Sequence, residues 1–578
     1  MGATLEKLLR VFSTFSLSPR WSTCKCTYGS SCWPDANTFS SLSAHLSEPL
    51  VYPCPPESAC YPADAPSANC AAVLTGTFDG NWRANQSGSM QSPNFETYIH
   101  PDSTVIEACY LNASLGVPCQ QGSVPVVGVD ARTVEDIIEA VKFAGANNLK
   151  VAIKNTGHDF LGRSTARGSF LIWTHNMKDI TYNDSFSPLG APSGETYNTI
   201  TLGAGVQWHE AYSAAAVQGV ILVGGLSTDG SVVAAGGWVL GGGHSALSPS
   251  YGLGVDSVLQ FAVVTSTGAY LNVSSYSYPD LFWALRGGGG GTFGVVVSVT
   301  YQTHPSIPVV ASVFSANTTN TTTFAKLLSE YVRISPELVD QGWGGYGDII
   351  NGSLQFLHVA PNVSLSSAND AYASFFDFAR ALSDEGLNVQ TTSTLSYSTY
   401  YEWYKTWFTA GQPVGVNVLL GSRLLPRDVV ESNYTKIGEA LAEDFGWVQW
   451  VLVAGGAVSK VEPDAMGVNP AWRTALAEVL TAVSWPEGSN VSVISGWKDV
   501  LKQKISILED LAPGSGAYLN EDSLNEENWQ RLFFGSHYSQ LKVIKDRYDP
   551  ARMFVVVEGV GSEDWDEDLT CIREHQST

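Results

Sequence analysis

Hydrophobic periodicity along residues 124–154 predicts a β-α-β unit. The segments VPVVGVD and LKVAIKN are short apolar runs typical of strands, and TVEDIIEAVKFAGANN between them has the spacing of an amphipathic helix. Thr133 and Asp136 match a capping box at the start of this helix. One helix face carries the apolar side chains Val134, Ile137, Ile138 and Val141. The second strand leads directly into the loop NTGHDFLGRS at 155–164.

Further along, the pattern continues and then changes. A second αβ passage covers 200–225, and 258–274 reads as a hairpin that turns at Thr267–Gly268. DLFWAL predicts a short helix, and FGVVVSVTYQTHP predicts a buried strand after it. From 306 to 500, helical segments such as FAKLLSEYVRI alternate with strands such as GSLQFLHVA, and glycine loops become rare. This change indicates a separate α+β domain.

The chain therefore divides into four predicted segments. Residues 1–119 form a Cys- and Pro-rich cap that leads into a first domain at 120–305. Residues 306–500 form the second domain, and 501–578 return to the first. A length of 578 residues fits two or three domains, and 44% apolar against 15% charged residues predicts a well-folded chain.

Charge narrows the range of partners. A formal net charge of −24 and a pI of about 4.7 argue against nucleic acid or an anionic membrane. No apolar run approaches the roughly 18–20 residues of a membrane-spanning helix. We therefore expect a small-molecule substrate, no nucleic acid and no membrane, and a monomer.

Cysteines are concentrated in the cap, where they predict disulfides. Eight of the nine cysteines lie within the first 119 residues, and the ninth is Cys571. Metal binding through Cys24 and Cys26 is the competing interpretation, but no second CxxC or paired histidine completes a site, so no metal is predicted. We expect at least three disulfides in the cap, with Cys571 either paired back to it or free.

Glycosylation motifs favour secretion. Ten asparagines lie in N-x-S/T motifs, which predicts N-glycans on an extracellular protein: Asn85, Asn112, Asn183, Asn272, Asn317, Asn320, Asn351, Asn362, Asn433 and Asn490. The first residues do not match a signal peptide, because Glu6, Lys7 and Arg10 interrupt the apolar stretch that one requires. Either the start is assigned wrongly or the signal has been removed, and we still expect secretion.

Glycine-dense loops carry the chemical signal. GGWVLGGGHSALSPSYGLGVD (236–256) and DLFWALRGGGGGTFG (280–294) join NTGHDFLGRS in one half of the chain. Ordering glycine is entropically costly, so such clusters mark backbone that passes close to a large, flat ligand or to a neighbouring strand. Three such loops favour a flavin dinucleotide over tight strand packing without a ligand.

The sequence does not satisfy the motifs of other nucleotide-binding proteins or of serine hydrolases. Gly289-x-Gly291-x-x-Gly294 matches the dinucleotide fingerprint in letters, but a helix precedes it and a strand follows it, the reverse of the required order. No glycine run is followed by GKS or GKT, which excludes a P-loop. The segment GHSAL at 243–247 lacks the last glycine of a nucleophile elbow, which argues against a serine hydrolase.

GHDFLGRST, GGWVLGGGHSALSPSYGLGVD, DLFWALRGGGGGTFG and YDPARMFVVVEGVGSEDW resemble the berberine-bridge-enzyme-like branch of the vanillyl-alcohol-oxidase flavoprotein superfamily. Within this branch, the sequence pattern of these segments is most similar to that of secreted fungal members of the isoamyl-alcohol-oxidase-like or 6-hydroxynicotine-oxidase-like kind. The resemblance is strong over 120–305 and 515–565. It implies an α+β fold, with a two-subdomain FAD-binding (PCMH-type) domain and a substrate domain built on an antiparallel sheet flanked by helices.

The resemblance also implies FAD attached through a histidine, and His158 is the matching residue. Many relatives add a second link through a cysteine, but Gly230 stands at that position and no cysteine occurs between 119 and 571. Attachment is therefore expected to be monocovalent, which favours a smaller substrate than an oligosaccharide. The expected FAD-binding residues are His158, Asn155, Thr156, Gly157, Asp159, Gly162, Arg163, Ser164, Gly225, Gly230, Ser231, Gly236, Gly237, Gly241, Gly242, Gly243, Gly291, Gly294, Val295 and Asn520.

The segment GAYLNE at 516–521 matches the family's Y-x-N stretch. On a strand Tyr518 and Asn520 would face the same side, which makes Tyr518 the candidate base with Asn520 beside it. Relatives often carry a second tyrosine where this chain has Glu521, which weakens that assignment. His244 is a further catalytic candidate, and Tyr251 a pocket candidate, in the second glycine loop.

These features predict an FAD-dependent oxidase. The substrate, a small alcohol or related compound, would give hydride to flavin, and O2 would then be reduced to H2O2. One alternative is an FAD-dependent oxidoreductase that forms a ring or double bond in a secondary metabolite. The other is a non-enzymatic binding scaffold that keeps the fold.

Overall fold

The computed structural model describes residues 24–101, 103–227, 231–408, 414–443, 445–524 and 526–573. Its α-helices are α1 Ala36–Ser43, α2 Cys70–Gly76, α3 Gly80–Ala84, α4 Val134–Ala146, α5 Trp208–Val217, α6 Gly237–Leu240, α7 Ser248–Tyr251, α8 Pro279–Leu285, α9 Thr321–Asp340, α10 Leu365–Ala381, α11 Tyr400–Trp407, α12 Arg427–Glu443, α13 Val491–Leu511, α14 Trp529–Phe534 and α15 Tyr538–Tyr548. Its strands are β1 Tyr98–Ile99, β2 Ile106–Glu107, β3 Val127–Asp130, β4 Val151–Lys154, β5 Phe170–Trp173, β6 Ile180–Phe186, β7 Tyr197–Gly203, β8 Val220–Ile221, β9 Val258–Val264, β10 Tyr270–Ser274, β11 Val295–Gln302, β12 His304–Pro305, β13 Val309–Asn317, β14 Gly344–Ile350, β15 Ser353–Pro361, β16 Asn388–Tyr397, β17 Asn417–Pro426, β18 Trp447–Leu452 and β19 Ala475–Trp485.

The predicted β-α-β unit forms as expected. Strands β3, β5 and β4 make a parallel sheet in that order, and α4 lies between β3 and β4 in sequence. Thr133 and Asp136 make the capping box: the Thr133 Oγ1 accepts from the Asp136 N–H, and Asp136 Oδ2 accepts from the Thr133 N–H. Ile137 and Val141 are fully buried. This unit holds the 155–164 loop at the end of β4.

A five-stranded antiparallel sheet forms the second part of the first domain. Its strand order is β10-β9-β11-β7-β6. Strands β9 and β10 make the predicted hairpin, in which the Thr265 N–H donates to the Ala269 carbonyl at 3.0 Å. The predicted helix α8 and buried strand β11 are confirmed, and together they enclose the glycine run at 287–291.

The second domain contains a seven-stranded antiparallel sheet in the order β16-β13-β15-β14-β18-β19-β17. Successive side chains of a strand point to opposite faces. On one face Phe314 and Phe356 pack with Tyr331 of α9 and Phe375 of α10. The other face lines a large cavity shared with the first domain. The predicted substrate domain on an antiparallel sheet flanked by helices is therefore confirmed.

Disulfides join the cap to itself and to the chain's C-terminal segment. Three bridges lie within the cap, as predicted: Cys26–Cys32, Cys60–Cys70 and Cys109–Cys119. Cys571 pairs back to Cys24, which decides between the two outcomes expected for it. Among the described cysteines Cys54 is free and exposed. The cap is thus covalently tied to the C-terminal end of the described chain.

A buried ion network supplies the polar core of the cap. Arg83 is fully buried and donates from Nη2 to Glu96 at 2.5 Å and from Nη1 to Glu57 at 3.5 Å. Lys154 of β4 is also buried and donates to the Gln86 carbonyl at 2.6 Å. Burial lowers the pKa of Lys154 to about 7. These contacts attach the cap to the strand that precedes the first glycine loop.

Each helix in the described part of the chain is too short or too polar to span a membrane. The N-terminal residues that bear on the signal peptide lie outside the described part of the chain. All ten asparagines of the glycosylation motifs have at least partly exposed side chains, so none is enclosed in a core.

Candidate functional site

A cavity of about 1070 Å³ lies between the glycine loops and the seven-stranded sheet. The loops supply one wall, and β13, β14, β15, β17, β18 and β19 supply the other. Of the residues predicted to bind FAD or act in catalysis, those that line this cavity are Asn155, Thr156, Gly157, His158, Asp159, Arg163, Ser164, Gly225, Gly236, Gly237, His244, Gly291, Gly294, Tyr518 and Asn520. Sequence segments more than 350 residues apart thus meet in one space.

The 155–164 loop is folded around Asp159. Its two carboxylate oxygens accept from the Leu161 N–H at 3.0 Å and the Ser164 N–H at 2.6 Å. Arg163 donates from Nε to the Val557 carbonyl at 3.0 Å, which ties the loop to the C-terminal segment. These bonds fix the loop and direct His158 towards the cavity.

The surroundings of His158 favour its neutral imidazole form. Its Nδ1 lies 3.1 Å from the Ser231 hydroxyl, and its ring packs edge-on against Phe160. Burial lowers the pKa of His158 below its usual value, because the surrounding protein disfavours the charged form. An unprotonated ring nitrogen is the form that can attack a carbon centre and form a covalent link.

Gln91 of the cap clamps this loop from behind, a contact that the sequence patterns did not reveal. Its backbone N–H donates to the Gly157 carbonyl at 2.9 Å, and its side-chain Nε2 donates to the Thr156 carbonyl at 3.1 Å. Gly157 has φ +77°, and a Cβ there would lie 2.9 Å from the Ser89 carbonyl oxygen. The cap therefore holds the backbone of the two residues that precede His158.

The remaining residues predicted to bind FAD do not line the cavity or lie outside the described residues. Gly162, Ser231, Gly241, Gly242, Gly243 and Val295 are not among the cavity-lining residues. A Cβ on Gly241 would lie 2.6 Å from the Asn520 side chain, and one on Gly243 would lie 2.8 Å from Trp238. Such glycines allow neighbouring groups to approach, and Ser231 acts through its bond to His158. Gly230 lies outside the described residues.

The residues that face the cavity fit a flavin dinucleotide. The buried Asn155 Oδ1 has no hydrogen-bond partner among the described residues. A Cβ on Gly237 would meet nothing within 4 Å, and one on Gly290 would come within 3.2 Å of the Gly237 Cα. The backbone therefore borders open space at Gly237, and at Gly290 two backbone segments lie close together. An unpaired polar atom and an open glycine wall are what a large, flat, hydrogen-bonding ligand requires.

The prediction that 516–521 forms a strand is wrong. The Gly516 carbonyl accepts from the Leu424 N–H, and the Ala517 N–H donates to the Leu532 carbonyl. The Glu521 N–H then donates to the Tyr518 carbonyl at 3.0 Å, which closes a turn. The turn still brings the two side chains together, since Asn520 Nδ2 donates to the Tyr518 hydroxyl at 2.8 Å.

Asn520 joins this turn to the second glycine loop. Its Nδ2 also donates to the Gly237 carbonyl at 3.0 Å. Tyr518 is buried, and burial followed by the neighbouring Glu521 charge raises its pKa well above the usual value. A tyrosine that holds its proton so strongly is a poor proton acceptor at neutral pH.

A cluster of His244, Glu478 and Glu521 lies beside Tyr518. The His244 ring packs edge-on against Tyr518, with ring centroids 5.1 Å apart. His244 Nε2 lies 3.3 Å from Glu521 Oε2 and 3.9 Å from Glu478 Oε2. One histidine nitrogen and one oxygen from each carboxyl all lie within 4.8 Å of one another, a spacing that could also hold a metal ion.

Sequence reasoning missed Glu478. It is fully buried in β19, and burial followed by the charge of Glu521 raises its pKa well above the usual value. Its signal was visible as a single acidic residue inside the apolar run ALAEVLTAVSW. Acidic side chains are almost never fully buried without a partner or a function.

The sheet wall carries a polar strip that the sequence also left unassigned. Asp348 on β14 is paired across the strands with Gln355 on β15 and Gln449 on β18. Gln449 Nε2 donates to Asp348 Oδ1 at 3.0 Å, and burial raises the pKa of Asp348. Tyr251, a predicted pocket residue, instead stacks on His304 at 4.1 Å and is not among the cavity-lining residues.

Comparison with known proteins agrees with this geometry. The family model described as "FAD binding domain" matches residues 125–274, and the one described as "Berberine and berberine like" matches 517–561. An uncharacterized FAD-linked oxidoreductase of Arthroderma benhamiae is 36% identical, over 98% of this chain and 99% of that protein.

Two solved structures share the fold. The VAO-type flavoprotein MtVAO615 of Myceliophthora thermophila C1 superposes with a TM-score of 0.82 at 28% identity, over 95% of this chain and 100% of that one. The glucooligosaccharide oxidase of Acremonium strictum gives a TM-score of 0.63 at 20% identity, over 76% of this chain and 92% of that one. It is described with a 6-S-cysteinyl, 8α-N1-histidyl FAD. The chain is an enzyme that belongs to the FAD-linked oxidoreductases of the berberine-bridge-enzyme-like, vanillyl-alcohol-oxidase-type flavoprotein family.

Proposed function

We propose that this FAD-linked oxidoreductase is an oxidase that removes hydride from a small alcohol or related compound and passes the electrons to O2, forming H2O2. The observation that carries the proposal is the shared cavity. His158, the expected flavin attachment point, and the proton-accepting groups around Tyr518 line one space, which the substrate-domain sheet closes from the other side.

FAD would be held through His158 alone. Supporting this, the imidazole is buried and held in its neutral form, and the chain has no cysteine between residues 119 and 571. The glucooligosaccharide oxidase carries both a cysteinyl and a histidyl link by its name. When bound, the flavin supplies the two-electron acceptor for hydride.

The residues around it orient the substrate and exclude water. Tyr346, Leu357 and Leu480 give the sheet wall an aromatic and apolar surface, and Asp348 with Gln449 offers hydrogen bonds to a hydroxyl. The guanidinium of Arg163, which lines the cavity, already donates to the backbone carbonyls of residues 557 and 558. The wall therefore favours a neutral polar substrate over a carboxylate, which would meet Asp348 and Glu521.

We further propose that the enzyme is a secreted, monomeric glycoprotein that takes O2 as its partner. Four disulfides are stable outside the reducing cytosol, and none of the ten glycosylation motifs is enclosed in a core. The Cys24–Cys571 bridge joins the two ends of the described chain, which suits a protein that acts outside the cell.

Anaerobic mixing with a panel of short aliphatic and benzylic alcohols tests the oxidase proposal. At least one alcohol should bleach the flavin absorbance, because hydride reduces the flavin and no acceptor is present. Admitting air should then restore the colour with one equivalent of peroxide formed. A sample kept anaerobic without alcohol should stay yellow. Slow recovery in air with rapid recovery on adding a quinone or NAD would contradict an oxidase.

A further inference from the structure

Two carboxyl groups meet at the buried end of the cavity without a cation between them. In the part of the chain that the structure describes, neither Glu478 nor Glu521 has a lysine or arginine as ion-pair partner. The arginines nearby are committed elsewhere: Arg423 pairs with Asp522, Glu509 and Glu526, and Arg473 pairs with Asp256. Two carboxylates this close cannot both be ionised at low cost, so one of them carries a proton.

The difference in burial decides which carboxyl is protonated. The Glu478 side chain is fully buried, whereas the Glu521 side chain is 23% exposed and lines the cavity. Both carboxyl oxygens of Glu478 lack a hydrogen-bond partner among the described residues. The ionisable groups that face Glu478 are His244, Tyr346, Tyr518, Glu521 and Asp522, and none of them is a permanent cation. Glu478 is therefore the neutral acid and Glu521 the carboxylate.

His244 links the two. Because its Nε2 is 3.3 Å from Glu521, the Nε2–H donates to that carboxylate, and Nδ1 is left without a partner among the described residues. A histidine that binds a metal ion usually donates its other ring N–H to an oxygen nearby. The bare Nδ1 and the short contact to Glu521 therefore favour a proton-sharing group over a metal site.

We infer that Glu521 is the catalytic base of the oxidation, and that His244 and Glu478 act behind it as positioning residues. This assignment rests on the proposed function. In the proposed reaction the Glu521 carboxylate would take the substrate's O–H proton as the C=O double bond forms, and a bound flavin would supply the acceptor for the C–H hydride and its electron pair. Glu478 stays neutral, so that no second negative charge opposes ionisation of Glu521, while His244 directs the carboxylate into the cavity.

Substitution of the base separates Glu521 from Tyr518. Glu521→Gln keeps the size of the side chain and removes its proton-accepting charge, so the rate of flavin reduction by the best alcohol of the panel should fall by about 10²- to 10³-fold. Tyr518→Phe should lose much less. Flavin retained after acid precipitation should be unchanged in both, which shows that the cofactor site is intact. Glu527→Gln, with its side chain 85% exposed on the same C-terminal segment, is the matched control.

The outcome that overturns the assignment is equally distinct. Tyr518 is the base if the rate of flavin reduction in Glu521→Gln stays within a few-fold of the natural protein's rate while the rate in Tyr518→Phe falls much further. Stoichiometric metal in the purified protein, with activity lost on EDTA treatment and restored by Zn²⁺ or Mn²⁺, would also overturn it.

The protonation of Glu478 has a test that needs no substrate, so it stands even if no alcohol reduces the flavin. Burial raises the pKa of Glu478 in the fold above its ordinary value of 4.5. Above that pH the unfolded chain releases the proton and the folded chain keeps it, so the stability of the natural protein falls as pH rises. Glu478→Gln has no such proton, so its Tm relative to that of the natural protein should rise from pH 4 to pH 7.

The same measurement on Glu527→Gln should show no pH-dependent difference, because that side chain is exposed in the fold. A Tm difference for Glu478→Gln that stays constant from pH 4 to pH 7 would mean that Glu478 is ionised in the fold. Because the assigned role needs only a neutral side chain at this position, Glu478→Gln should keep the rate of flavin reduction within a few-fold of the natural protein's rate.

Discussion

Replacing His158 with alanine will give a protein that releases all of its flavin on acid precipitation. The natural protein should keep its yellow colour in the pellet. The physical reason is that the buried imidazole, held by Ser231 and by the loop around Asp159, would be the nucleophile for the attachment proposed above. The measurement is the visible spectrum of pellet and supernatant, with flavin mass on the digested peptide that contains residue 158.

His175→Ala is the matched control for this prediction. His175 is also a buried histidine in the first domain, and burial lowers its pKa to about 3, but its Nε2 bonds Asn85 and it does not line the cavity. It should keep the covalent flavin. Flavin that remains in the pellet after His158→Ala would show a second attachment residue and would contradict monocovalent binding. Retained secondary structure by circular dichroism shows that the variant has folded.

Removing the Cys24–Cys571 bridge should produce the largest loss of stability of the four disulfides. The bridge closes a separation of 547 residues, and a cross-link over so long a loop strongly restricts the unfolded chain. In the chain-entropy description, replacing both cysteines with serine should lower the free energy of unfolding by about 6 kcal/mol. Guanidinium unfolding followed by tryptophan fluorescence measures the change.

The double replacement of Cys60 and Cys70 is the control. That bridge spans 10 residues, so its removal should cost about 2–3 kcal/mol in the same description. Equal losses for the two bridges would contradict a loop-length origin. In that case the local contacts around Cys24, where the Lys25 N–H donates to the Thr570 carbonyl, would explain the stabilisation instead.

Local periodicity was sufficient for most of the first domain. The helix α4 and its capping box, the hairpin of β9 and β10, and the helix-then-strand order around residues 280–302 all depend on neighbours within a few positions. Such patterns survive in the sequence because each element must bury one face on its own. The prediction of a strand at 516–521 was wrong for the opposite reason. The backbone of this segment bonds to Leu424 and Leu532, which lie elsewhere in the chain, and no local pattern identifies such partners.

The sequence by itself indicated the cofactor class and a disulfide-rich cap, and it predicted His158 as the attachment point, since glycine loops, a loop histidine and cysteine counts are local features. The tertiary structure alone decided which groups meet in the cavity. Glu478, Glu521 and His244 come from a sheet strand, a turn and a glycine loop, and Gln91 reaches His158's loop from the cap. The raised pKa of Glu478 and the contacts among these groups arise from burial and proximity, which exist only once distant segments are folded together.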